Sequence, residues 1–243
     1  MVVDVPAGSQ IHKQVIVKEL NAGALTVDPL LRLYFVTVPP ADLATPRGDF
    51  ERLESALAGQ WPDAELADRL TADGHVLAIL QSALAADDGQ VTVALRDGHH
   101  IVGIWPGLKE QVAGVAIDVG STTMSAHLCD MVTGDVLAST GAMNPQIRFG
   151  EDLMSRVSYG IMNPGGHLEM TTAVIDGLQK LISGAAEQAG LAPEDVVEIV
   201  LVGNPVMHHL LLGIDPVELG GAPFALAVDT AVSYTHLTLP TKA

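Results

Sequence analysis

The sequence predicts an α/β protein, a small α+β module followed by a lobe of order β-β-β-α-β-α on a mixed sheet. In QVTVALRDGHHIVGIWPG, two alternating apolar runs flank Asp97-Gly98, a pair suited to a hairpin turn with φ above zero. From Val112 onward, VAGVAID, TMSAHLCDM and VLASTGAM are set apart by GST and TGD turns, which is the pattern of a three-stranded antiparallel meander. Helical spacing, an apolar strand and a further helix follow.

Taken in order, VVDVPAGSQ opens with an alternating run that meets a Pro-Ala-Gly turn and has nothing before it to pair with. It predicts a strand whose neighbour lies elsewhere. Residues 31–38 carry β-branched and aromatic side chains and stop at Pro39-Pro40, as a strand does. Phe50, Leu53, Ala56 and Leu57 have helical spacing, with Asp49 as the expected N-cap. A second helix is expected over 71–85, with Val76, Ile79, Leu80, Ala83 and Leu84 on one face. The hairpin follows, and residues 108–111 read as a polar connector. After the meander, helices are expected over 151–162 and 168–189, with Gly190 as the stop. VVEIVLVG reads as a buried strand and NPVMHHLLLG as a helix. That order is the order of a ribonuclease-H-like lobe.

Composition narrows the function. The 243 residues hold 12 Lys and Arg against 29 Asp and Glu, a formal net charge of -17. This argues against nucleic-acid and anionic-membrane surfaces, which need clustered positive charge. Residues are 48% hydrophobic and 17% charged, the composition of an ordered globular chain. With aromatics at 4%, the core has to be aliphatic. The single cysteine, Cys129, excludes a disulfide framework, a four-cysteine zinc site and a complete iron-sulfur cluster held by this chain alone. No apolar stretch approaches the length of a membrane span, and the expected compartment is the cytoplasm.

The segment that carries chemistry is Asp118-Val119-Gly120-Ser121-Thr122-Thr123, between two apolar strands. A strand that delivers one carboxylate into a Gly-Ser-Thr turn suits a phosphate bound with Mg²⁺. The glycine lets backbone approach, amides and hydroxyls donate to phosphate oxygens, and the carboxylate holds the cation through its waters. It is neither a Walker loop, which carries Gly-Lys-Ser/Thr, nor a dinucleotide fingerprint, which needs a helix next. An ordinary hairpin with Asp and Gly in its turn is the bland alternative.

AIDVGSTTMSAHLCDMVTGDVLAS resembles the first phosphate motif of the superfamily that unites acetate and sugar kinases, heat-shock ATPases and actin. NPQIRFGEDLMSRVSYGIMNPGG, with VLVGNPVMHHLLLGIDPVELGGAPFA, is similar to the ATPase domain of the reductive activators of corrinoid proteins. The resemblance implies an iron-sulfur protein that uses ATP to return Co(II) corrinoid proteins to Co(I). It implies residues 1–25 as the end of a ferredoxin domain with linker, 26–111 as a small α+β middle domain, and 112–231 as the first lobe of an actin-type ATPase. Residues 232–243 resemble a translated sequencing adapter and read as non-native. The chain is thus expected to be an internal fragment that turns over little ATP alone. The resemblance assigns Asp118 to Mg²⁺, Gly120 to close approach, and Ser121, Thr122 and Thr123 to ATP phosphates. The 2Fe-2S cluster of the parent has no ligand set here. The implied partner is a corrinoid protein or a cobalamin-dependent methyltransferase, with a homodimer left open. A small-molecule kinase and a non-catalytic binding module are the alternatives.

Asn144 and Arg148, after the third strand, are candidate partner-contact or lobe-closing residues. Asn204 is placed near the nucleotide or, more simply, as an N-cap before Pro205. His99-His100 belongs to a surface turn, where strand neighbours point to opposite faces. His208-His209 diverge on a helix, which favours a capped, partly buried histidine over a metal ligand. Glu151 and Asp152 suit a helix start regardless of function. Cys129 reads as a small core residue, and Met154, Met162, Met170 and Met207 as helix-face residues.

Overall fold

In β1 (Leu31–Thr37), Tyr34 and Val36 are buried on one side of the sheet. The computed structural model describes residues 28–44 and 46–228. The expected opening strand, the ferredoxin-end segment and the adapter-like tail lie outside the described residues. β1 pairs antiparallel with β3 (Gln90–Arg96), which pairs antiparallel with β4 (His100–Pro106). Asp97 and Gly98 both adopt positive φ, at 50° and 67°, as the Asp-Gly turn requires. The two-residue β2 (Thr71–Ala72) runs parallel to β4, giving a mixed sheet of order β1-β3-β4-β2.

Two helices cover one face of this sheet. α1 (Asp49–Gln60) buries Leu53, Ala56 and Leu57, and α2 (Gly74–Ala86) buries Val76, Leu80, Ala83 and Leu84, against Val36, Val91, Val93 and Ile101. Asp49 is not the N-cap. Gly48 is, while the Asp49 carboxylate turns to Arg52 at 2.5 Å, and this contact holds its pKa below the usual carboxylate range. The second helix starts at Gly74 because Thr71 and Ala72 are taken by β4. Ile79 lies outside the buried face, at 44% exposure.

The second sheet is the expected lobe. β5 (Ala113–Val119), β6 (Thr123–Asp130) and β7 (Val136–Met143) form the antiparallel meander, and β8 (Val196–Gly203) pairs parallel with β5. The order is β7-β6-β5-β8. A 3₁₀ turn (Pro145–Phe149), α3 (Leu153–Met162) and α4 (Gly166–Ala189) lie between β7 and β8, and α5 (Pro205–Leu211) follows. Asp152 caps α3 by accepting from the Ser155 amide at 2.7 Å, so that helix starts two residues later than its acids suggest. Gly190 ends α4 at φ 72°.

α4 packs Met170, Val174, Leu178, Leu181, Ile182 and Ala185 onto the alternate residues Val115, Ile117, Met124, Ala126 and Leu128. β8 differs from its expected burial. It is an edge strand with one neighbour, and Val200 and Val202 are 53% and 59% exposed. Its apolar run is covered on the α4 side, while Val200 and Val202 on the other face stay open.

Candidate functional site

The turn from β5 to β6 lies at the end of β5 that meets the C-terminal end of β8, since Val119 pairs with Gly203. In α/β sheets this end of parallel strands is where ligands settle. Ile117 and Val119 point into the core, so Asp118, between them, stands on the opposite face. It is exposed, and its carboxylate has no hydrogen-bond or ion-pair partner among the described residues. Gly120 cannot be replaced without movement, because a Cβ there would sit 2.6 Å from the Thr123 carbonyl oxygen.

A buried polar network ties the turn down from behind. Asn144, 1% exposed, donates its side-chain amide to the Gly120 carbonyl at 2.8 Å, and its backbone N–H to the Thr122 carbonyl at 2.8 Å. Its Oδ1 accepts from the Gln146 amide at 2.9 Å, which caps the 3₁₀ turn. Arg156 donates Nη2 to the Ser121 carbonyl between them. It also donates Nε to the Gly150 carbonyl at 3.0 Å, and Nη1 to Gln146 Oε1 at 3.2 Å and to the Met207 sulfur at 3.0 Å. Gln146 passes the chain on to the Met170 carbonyl at 2.9 Å. Three consecutive turn carbonyls are therefore held inward. The Ser121 and Thr122 amides have no assigned acceptor among the described residues, and the Thr122 and Thr123 side chains are exposed.

Arg156 has no accessible surface. Burial lowers its pKa to about 10, with Asp152 pulling the other way. At neutral pH it is charged, and its charge-assisted bonds fix the turn more firmly than neutral ones would. Asn144, expected to contact a partner or close the lobe, is instead a brace of the turn, Met207, expected on a helix face, accepts from Arg156, and the sequence gives no sign of Arg156.

The other candidates are dispersed. Asn204 caps α5, accepting from the Met207 amide at 3.0 Å, and sits beside the turn's end of the sheet. Arg148 is away from the turn, stacked 4.7 Å over Phe149. His99 lies in the hairpin turn. His100 instead bridges the Thr71 hydroxyl at 2.6 Å and Asp73 at 3.0 Å, locking β2 to β4. His209 is buried, with Nδ1 on the Pro205 carbonyl at 2.7 Å and Nε2 accepting from the Ala227 amide at 3.1 Å. Cys129 is half-buried, and burial pushes its thiol pKa up. Met170 and Met207 are core residues, whereas Met154 and Met162 are exposed. Among the described residues no three His, Cys, Asp or Glu side chains converge as metal ligands would, and no helix is long and apolar enough to cross a membrane.

Residues 113–242 match the family described as the RACo middle region, more than half of the chain. The chain belongs to the RACo family. Residues 21–111 of this RACo chain match the RACo linker region, so the two matches meet at the connector between the sheets. The chain is 26% identical over 234 residues to the corrinoid activation enzyme RamQ of Eubacterium limosum, covering 95% of this chain and 38% of RamQ. It is also similar to the solved structure of a reductive activator for a corrinoid, iron-sulfur protein, with TM-score 0.65 and 29% identity over 92% of this chain and 37% of that one. It thus spans little more than a third of either relative.

Proposed function

We propose that the chain is the nucleotide-gripping part of an ATP-dependent reductive activator of corrinoid proteins, a cytoplasmic protein that returns the Co(II) state of a methyl carrier to Co(I) with one electron. Residues 112–231 form the first lobe of its actin-type ATPase, and residues 26–111 the small domain in front of it. The electron comes from a 2Fe-2S centre of the parent protein. Such a centre needs four thiolates, and Cys129 is the only one in this sequence. The partner is a corrinoid protein or cobalamin-dependent methyltransferase, in keeping with what the two relatives are named for.

The observation that carries this reading is Asp118, an unpartnered carboxylate beside a turn whose three carbonyls are tied into a buried network. Bound Mg-ATP supplies the hydrolytic free energy that drives an uphill electron transfer. The protein's part is grip and orientation. Asp118 holds Mg²⁺ through its waters, Gly120 admits the phosphate to the backbone, and Ser121, Thr122 and Thr123 donate to its oxygens. Asn144 and Arg156 keep the turn from relaxing, so the donors stand ready before the ligand arrives.

Calorimetric titration of Mg-ATP into the chain and into Asp118→Ala tests the reading. The variant is expected to bind Mg-ATP about tenfold more weakly or worse, as loss of a charged contact predicts, while metal-free ATP distinguishes the two proteins little. Equal Mg-ATP affinity in both would return the turn to an ordinary hairpin. In the whole parent protein, Asp118→Ala is expected to stop ATP-dependent formation of Co(I), followed by its absorbance.

A further inference from the structure

A second site lies on the opposite side of the sheet from Asp118. Between β7 and α4 there is a cavity of about 450 Å³, lined among others by Met124, Thr140, Arg148, Asp176, Lys180 and Leu181. That volume is in the range of small-molecule sites. Between residues 113 and 228 the only cations are Arg148, Arg156 and Lys180, against several times as many acids. Arg156 is spent inside the turn network. The two that remain come from different elements and line the same cavity, and neither makes a hydrogen bond or an ion pair among the described residues. Asp176 precedes Lys180 by four residues on α4, the favourable order for a helical pair, yet they form none.

Thr140 adds a third polar group. Its hydroxyl is buried and has no partner in the structure. Such a group is costly unless an ordered water or a ligand takes it. Met124 and Leu181 make the rest of the wall apolar. Two cations and one acid leave a single excess positive charge, and an arginine fork matches a planar carboxylate. A phosphate dianion would overcompensate beside Asp176.

We propose that this cavity binds a small carboxylic acid. Its carboxylate sits between Arg148 and Lys180, its short carbon body lies against Met124 and Leu181, and a second oxygen on that body meets the Thr140 hydroxyl. The assignment is independent of the nucleotide reading, and its test contains no nucleotide.

The test is calorimetric titration of the full chain with lactate, propionate and inorganic phosphate, with sodium chloride matching ionic strength. Lactate is expected to bind saturably and more tightly than propionate. Arg148→Gln and Lys180→Gln each lower lactate affinity about tenfold. Both positions are exposed, so both variants are expected to fold, and circular dichroism checks this. Thr140→Val is expected to erase the preference for lactate over propionate while leaving the carboxylate contact. Absence of saturable binding, equal lactate binding by wild type and both glutamine variants, or tighter binding of phosphate than of either acid would each overturn the assignment.

Discussion

Arg156 makes more bonds than any other described side chain that reaches the turn of the candidate site. It reaches Ser121, Gly150, Gln146 and Met207 at once, and its removal would leave buried oxygens without donors. For Arg156→Met, loss of these charge-assisted bonds is expected to cost about 2–4 kcal/mol. In a domain of this size that is a fall of roughly 5–15 °C in melting temperature. Arg156→Lys keeps the charge but not the planar fork, and is expected to fall between the two. Thermal unfolding of the three proteins checks this, and an unchanged melting point for Arg156→Met would mean the turn is held by something else. The sequence offers little to find this residue by. An arginine within an amphipathic helix ordinarily faces water, and its key acceptor lies 35 residues away in the chain. Asn204 is easier to read, since it caps the helix that immediately follows it; Asp152 is legible as the acid at a helix start, whereas the capping by Asn144 differs from its expected role in partner contact or lobe closing.

At the scale of elements, the β6–β7 turn gives a pH signature. Asp130 accepts from the Val132 amide at 2.7 Å, the Thr133 amide at 3.0 Å and Gln111 Nε2 at 2.8 Å. Burial pushes its pKa up, but these donors outweigh burial and leave it below the ordinary value of 3.8. The unfolded chain then binds the proton more readily than the native one. Stability from this carboxylate is fully present above about pH 4 and is lost as pH falls through the lower, native pKa. Asp130→Asn is expected to melt lower than wild type at pH 7 and to lose less between pH 5 and 3. Parallel curves for the two proteins over that range would refute the assignment. The meander, the Asp97-Gly98 hairpin and the long α4 are legible in sequence because each is fixed by local periodicity and turn chemistry. β2 is not, because two residues become a strand only through pairing with β4 across the chain. The burial of β8 is misread for a related reason: apolarity reports a strand, while its neighbours decide which face is covered.

The whole molecule depends on how the two sheets meet. α1 and α2 cover one face of the first sheet. On its other face, Leu31, Ala94 and Val102 pack with Val112, Met131 and Val197 of the second unit. Two ion pairs flank this apolar contact, Arg96 with Glu198 and Lys109 with Asp195 at 2.7 Å. The second matters more, since the Asp195 side chain is 6% exposed and removal of Lys109 leaves its charge buried, with only the Ala192 amide, at 3.1 Å, as donor. Glu198 lies in β8 beside β5, and Asp195 ends the 3₁₀ turn that leads into β8, so the two pairs tie the first unit to the strand pair that carries the Asp118 turn. Wild type is expected to unfold in a single calorimetric transition, because the shared apolar contact and the two ion pairs couple the separate cores of the two sheets. Lys109→Met should destabilise the second unit by about 2 kcal/mol. The double variant Arg96→Ala, Lys109→Met should split the transition in two, with the unit carrying the turn melting first. A single transition at the wild-type midpoint in the double variant would mean that the apolar contact alone joins the sheets.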